Sequence, residues 1–151
     1  MRKLVAGDIM NKRVVTIRKD QTIEELARIL INNKISGVPV VDEEKKILGI
    51  VTETDIIIKE SNLPFPPSFN YTFIKYYDSY TKTTKEYFKT KVEEVMTKKI
   101  KTAKIDMPIE KVVNIMIHND INRIPVVDND NKLAGIITRT DIMQNMIKKN
   151  R

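Results

Sequence analysis

Twice in this chain a threonine is followed three residues later by an aspartate, each time at the end of an apolar run. The two stretches are "GIVTETD", with Thr52 and Asp55, and "GIITRTD", with Thr138 and Asp141. Two chemistries fit that spacing. The first is structural: Ser/Thr-x-x-acid at a helix start is a capping box, in which hydroxyl and carboxylate each satisfy the other's backbone N–H. The second is ligand binding. A strand-to-helix turn presents unpaired N–H groups and a positive dipole end, both suited to phosphate. Thr54 and Thr140 add a second hydroxyl inside each motif. A carboxylate has two acceptor oxygens and can take both hydroxyls of a ribose diol, at about 1.5–3 kcal/mol net per charge-assisted bond. Hydroxyls and amides for phosphate, with aspartate for ribose, describe a nucleotide clamp. The spacing alone leaves cap and clamp both open.

No other constellation competes. The chain has no cysteine, which excludes disulfides and thiolate chemistry. Its single histidine, His118 in "NIMIHND", lacks an acid at a metal-motif spacing and reads as a surface or helix-end residue. Four glycines form no phosphate loop, and no Gly-x-Ser-x-Gly is present. The methionines read as core or segment-start residues. Nothing assembles a nucleophile, a base and an oxyanion site. The expectation is a protein that is not an enzyme, with no catalytic residues, no catalytic cofactor and no metal.

Composition sets the class. The 151 residues are 41% apolar and 31% charged, which is globular, and suffice for one domain or two small ones. "MRKLVAGDIM" carries no apolar run of signal-peptide or membrane-span length, so a cytoplasmic protein is expected. The net charge of +7 and pI near 9.5 suit an anionic partner. The lysines are scattered rather than blocked, which makes nucleic acid unlikely as that partner.

The elements that must position the two motifs come from a duplication. A shift of 86 residues, Met10 onto Met96, aligns the chain with itself without a gap, with about 21 identities in the 49 positions from 9 to 57. Pro39-Val40-Val41-Asp42 falls on Pro125-Val126-Val127-Asp128. Each copy opens with an extended piece, "RVVTI" or "KIKTA". A helix follows, its apolar stripe at Ile23, Leu26, Ala27 and Leu30, and again at Ile109, Val112, Val113 and Met116. Asp20 and Asp106, just upstream, are expected to cap these helices. "GVPVVD" and "RIPVVD" read as strands, Asp42 and Asp128 start polar turns, and "ILGIVT" and "LAGIIT" return as buried strands. A second helix begins after Thr52 and after Thr138. The fold class is α+β: two β-α-β-β-α units, expected to be related by a pseudo-twofold axis. The predicted organisation is repeat 1 over 1–60, an insert over 61–91 and repeat 2 over 92–151.

The insert holds every aromatic residue, from Phe65 to Phe88, and Pro64, Pro66 and Pro67 exclude a continuous helix there. It reads as a linker packed on its own module, a lid, a dimer contact or a docking surface.

The order and spacing of "DIM" at Asp8–Met10, "VM" at Val95–Met96, the "VPVVD" and "IPVVD" strands and the "GIVTETD" and "GIITRTD" endings resemble a tandem CBS-domain pair, or Bateman module. The resemblance covers both repeats and leaves the insert unexplained. It implies a disc-like pair with two clefts between the repeats, binding AMP, ADP, ATP or S-adenosylmethionine. It implies that Asp55 with Thr52, and Asp141 with Thr138, hold ribose and neighbouring phosphate, with Ile50 and Ile136 on the adjoining strands. It further implies crossed clefts. Asp141 would join Val15, Thr16, Ile35 and Ser36; Asp55 would join Lys101, Thr102, Ile121 and Asn122. Arg139 lies inside the second motif, where the first has Glu53, and Arg123 replaces Gly37. Arginine grips phosphate bidentately and glutamate repels it, so the Asp141 cleft is expected to bind more tightly. The function implied is a non-catalytic sensor that forms a homodimer and signals to a protein partner. The alternative is an interaction module with vestigial clefts that acts through Phe69, Tyr71 and Phe73 of the insert.

Overall fold

The computed structural model describes residues 2–60 and 87–150. Most of the aromatic insert, including Phe69, Tyr71 and Phe73, lies outside them. In chain order the elements are α1 (Ala6–Ile9), β1 (Ile17–Arg18), α2 (Ile23–Asn33), β2 (Gly37–Val41), β3 (Ile47–Thr52) and α3 (Glu53–Glu60). A 3-10 turn at Val92–Glu94 leads into β4 (Ala103–Lys104), α4 (Ile109–His118), β5 (Arg123–Val127), β6 (Leu133–Thr138) and α5 (Arg139–Lys149). The strands form two three-stranded sheets, β1-β2-β3 and β4-β5-β6. In the second sheet β4 runs parallel to β5, and β5 antiparallel to β6. The α+β class and the β-α-β-β-α order of each repeat are as the periodicity predicts. The short α1 was not legible in that pattern.

The helices follow their apolar stripes. Ile23, Leu26 and Leu30 of α2 are buried, as are Val112 and Met116 of α4. Asp20 and Asp106 do not cap these helices; both lie in turns upstream. Thr22 caps α2, accepting from Glu25 N at 3.2 Å while the Glu25 carboxylate accepts from Thr22 N at 3.0 Å. A residue adjacent to the first helical position reaches the free amides, whereas one two positions further out does not. Pro108 occupies the same place before α4 and provides no side-chain cap.

The β2 strand is buried along its whole length, as a covered central strand should be, while β3 alternates with the period of two expected of a half-covered one. The turns between them are built twice in the same way. The Asp42 carboxylate accepts from Glu44 N and Lys46 N, both at 2.9 Å, and that of Asp128 from Asp130 N at 2.9 Å and Lys132 N at 3.0 Å. Lys45 and Asn131 close these turns with φ of 64° and 62°.

The chain divides into two compact units that do not coincide with the repeats. The first comprises residues 1–16, 41–48 and 99–151; the second comprises 17–40 and 49–98. In the first unit, Asn11 exchanges backbone bonds with Ile136 of β6, at 2.9 and 3.0 Å, and Ile109 N donates to Leu4 O at 3.0 Å. Ala6 joins Ala103, Val112, Met116, Ile124, Val126 and Ile137 in its core. In the second unit, Thr97 exchanges bonds with Ile50 of β3, at 2.9 and 3.0 Å, and Ile23 N donates to Thr90 O at 2.9 Å. The segment leading each repeat thus pairs with the last strand of the other repeat. Gly135 and Gly49 permit the close approach. A Cβ on Gly135 would lie 2.6 Å from Met10 Sδ, and one on Gly49 would lie 2.6 Å from the Thr97 carbonyl oxygen. No helix among the described residues is long and apolar enough to cross a membrane.

Candidate functional site

Each Thr-x-x-Asp motif lies where a half-covered strand gives way to a helix. At the β6–α5 junction Asp141 Oδ2 accepts from Thr138 N at 2.8 Å and from Thr138 Oγ1 at 3.0 Å, and Thr138 Oγ1 accepts from Asp141 N at 3.2 Å. At the β3–α3 junction Asp55 Oδ2 accepts from Thr52 N at 2.9 Å and, more loosely, from Thr52 Oγ1 at 3.5 Å. The reciprocal capping box is therefore complete at the β6–α5 junction, and its carboxylate half is present at the β3–α3 junction. Capping engages only one oxygen of each carboxylate. Oδ1 of Asp55 and of Asp141 has no hydrogen bond among the described residues. Glu25 and Glu94 also cap through one oxygen, but they are exposed, whereas Asp55 and Asp141 are half-buried at strand ends. Asp8 shows the contrasting case. Its Oδ2 accepts from Val5 N at 2.9 Å and its Oδ1 from Arg2 at 2.8 Å. The Val5 amide, followed by the Arg2 guanidinium, holds its carboxyl below the ordinary carboxylate value.

The amides of the two turns are partly committed. Glu53 N donates to Ser36 O at 2.8 Å, and Arg139 N donates to Asn122 O at 3.1 Å. Each junction is thereby fastened to the residue three before the proline of its own repeat's middle strand. The Arg139 side chain also points back to that corner. Its Nε donates to Ile121 O at 3.2 Å and its Nη2 to Asp120 at 3.1 Å. Asp120 is 97% exposed and Arg139 49%, so this pair adds little stability and its release costs little.

The other predicted site residues are distributed as follows. Thr54 and Thr140 are exposed on the first turns of α3 and α5. Ile50 and Ile136 are half-buried and hold the leading segments through their backbones. Ile35 and Ser36 are half-buried before β2; Ile121 is half-buried and Asn122 exposed before β5, whose first residue is Arg123. Val15 and Thr16, both half-buried, belong to the same compact unit as Asp141, as do exposed Lys101 and half-buried Thr102. Thr16 also lines a cavity of about 260 Å³ with Lys12, Val14, Val41, Lys45, Leu133 and Ala134. Lys12 and Lys45 carried no spacing signal in the sequence. At the described end of the insert, the Tyr87 hydroxyl donates to the Asp55 carbonyl at 3.3 Å. His118 is exposed at the end of α4, its Nδ1 2.8 Å from Asn114 O. Among the described residues no cluster of three or more metal-ligating side chains exists.

Comparison with known proteins agrees with this architecture. The family model described as "CBS domain" matches residues 6–61 and 92–148. Over an alignment of 156 positions the chain is 36% identical to "Uncharacterized protein MJ1426" of Methanocaldococcus jannaschii, covering 95% of this chain and 92% of the relative. It is 34% identical over 139 residues to the inosine-5'-monophosphate dehydrogenase of the same organism, covering 92% of this chain but 23% of that enzyme. Among solved structures it resembles the CBS domain pair of protein MJ0100 in complex with 5'-methylthioadenosine and S-adenosyl-L-methionine. That likeness has a TM-score of 0.72 and 29% identity, and covers 98% of this chain and 99% of that one. Two matched copies joined to a likeness of this extent leave one assignment: the chain belongs to the CBS-domain family, as a tandem CBS pair.

Proposed function

We propose that this CBS pair is a non-catalytic regulatory module that binds an adenosine-containing ligand, with Asp55 and Asp141 as the ribose acceptors. The observation that carries the reading is the half-engaged carboxylate. At each junction one oxygen holds the helix start, and the other is left to accept from a sugar hydroxyl. The ligands of the MJ0100 pair, 5'-methylthioadenosine and S-adenosyl-L-methionine, support an adenosyl group as the common element. Thr52, Thr54, Thr138 and Thr140 supply hydroxyls beside it. Val15, Thr16, Ile35, Ser36, Lys101, Thr102, Ile121, Asn122 and Arg123 are the further ligand contacts of the proposal. Arg139, freed from Asp120, provides a phosphate contact that Glu53 at the matching position would oppose, so the Asp141 site binds more tightly. The module acts as a cytoplasmic homodimer, and a protein partner reads the ligand-dependent change in packing. A ligand shifts such an equilibrium only by its differential affinity for the two states.

A thermal-shift panel of AMP, ADP, ATP, S-adenosylmethionine and guanosine counterparts tests the reading. A ligand at 100 times its Kd adds about 2.7 kcal/mol to stability. A panel without any shift at millimolar ligand would transfer the function to the insert as an interaction surface. Isothermal titration of Asp141→Asn and Asp55→Asn then ranks the sites. Asparagine keeps one acceptor for the cap and turns the other oxygen into a donor. The expected loss of affinity is about tenfold or more, larger for Asp141→Asn; a larger loss in Asp55→Asn reverses the ranking.

A further inference from the structure

We propose that the cavity between the leading segment of the chain and the start of β6 is a second site, which meets the proposed nucleoside contacts only at Thr16 and takes a small organic anion with a short apolar body. The floor is apolar, made by Val14, Val41, Leu133 and Ala134, and Lys12 and Lys45 stand on its lining. At about 260 Å³ it falls below the ~300–1,000 Å³ of pockets for drug-sized ligands, which limits the occupant to a few heavy atoms. Every charged group on the lining is an ammonium, which donates hydrogen bonds and accepts none. An occupant must therefore offer acceptors or negative charge. Among the described residues neither Lys12 nor Lys45 has a carboxylate partner, whereas the adjacent Lys46 lies 3.8 Å from Glu44. Asp42, in the same turn as Lys45, has its carboxylate engaged by the amides of Glu44 and Lys46.

The duplication indicates which features are particular to this cavity. Position 131, the counterpart of Lys45, is asparagine, and position 48, the counterpart of Ala134, is leucine. Both turn residues have positive φ, a conformation that asparagine tolerates better than lysine. The first copy thus carries the less favoured residue at the position that lines the cavity, and the smaller of the two strand residues, Ala134, lines it too. Ala134 precedes Thr138 by four residues, about 13 Å along an extended strand, so the cavity is remote from the carboxylate junction. The inference does not depend on nucleoside binding.

The test is an amide-resolved NMR titration of the full chain with butyrate and, separately, inorganic phosphate, at constant ionic strength set with chloride. The expected result is saturable shifts at Thr16 and Ala134, with affinity falling about tenfold in Lys45→Asn and in Lys12→Gln. The first variant installs the residue that the second copy already uses at Asn131, so the turn is retained. Preference for butyrate identifies a carboxylate ligand, and preference for phosphate a phosphorylated one. Shifts that stay linear, or affinities unchanged in both variants, overturn the site. If adenosine displaces the anion, the cavity is the base end of a nucleoside cleft and its standing as a second site is refuted, whereas failure of adenosine to bind anywhere leaves this proposal standing and removes the other.

Discussion

At the level of single residues, the two oxygens of Asp141 are placed differently. One oxygen closes a capping box, and the other has no partner among the described residues. Capping and the proposed ligand contact can be separated experimentally. Thr138→Ala removes the acceptor for Asp141 N and is expected to lower unfolding free energy by about 1 kcal/mol, measured by urea denaturation. Asp141→Asn is expected to leave stability nearly unchanged while it reduces ligand affinity. Asp8 provides a pH-dependent counterpart. Its folded pKa lies below its unfolded value, so its contribution to stability is present above the unfolded pKa and is lost as pH falls through the folded one. In an acid titration of unfolding, Asp8→Asn should therefore remove part of the pH dependence in the carboxylate range and leave the neutral range flat. The motif spacing drew attention to both junction aspartates, and the structure places each at a strand-to-helix junction. The spacing could not show that one oxygen suffices for the cap, because that depends on the direction the side chain takes at the strand end.

At the level of elements, helix and strand order follows from periodicity, which is local and therefore readable. The stripe from Ile23 to Leu30 faces the core as the sequence predicts, whereas β3, apolar nearly throughout and expected to be buried, is covered only at alternate residues. The caps were less legible. Asp20 and Asp106 are good capping residues by type, but Thr22 stands next to the helix with Glu25 three residues on, and adjacency decides. The two strand glycines yield a differential prediction. In Gly135→Ala the obstacle is the Met10 side chain, whereas in Gly49→Ala it is the Thr97 carbonyl, which cannot rotate away. Both substitutions should destabilise, Gly135→Ala by about 1–3 kcal/mol as typical overpacking and Gly49→Ala by more. Met10→Ala should relieve Gly135→Ala in part in a double-mutant cycle, because it removes Sδ and Cγ but keeps the Cβ at 2.9 Å, and should leave Gly49→Ala unaffected.

At the level of the whole chain, the compact units cut across the repeats. No local signal announces this. An extended piece reads the same whichever strand it joins, and the gap-free duplication makes each leading segment look like part of the repeat that follows it. Removing residues 2–16 should therefore damage the second repeat. Hydrogen exchange is expected to show lost protection at Ile109 and Ile136, whose amides donate to Leu4 and Asn11, with protection at Ile50 and Thr97 retained. The family and its paired architecture were legible from motif order because those motifs occur twice at one offset. The cavity beside Lys12 and Lys45 was not, because its lining comes from three distant stretches of chain.

That trade of leading segments bears on how such a chain could arise and be taken apart. Half a molecule on its own would carry a leader without a berth and a strand flank without its guest. Two halves, whether cleaved between 61 and 86 or encoded separately, would each supply what the other lacks. Co-expressed fragments should consequently elute together and regain one melting transition, and a solitary half should reach solubility only by doubling with itself.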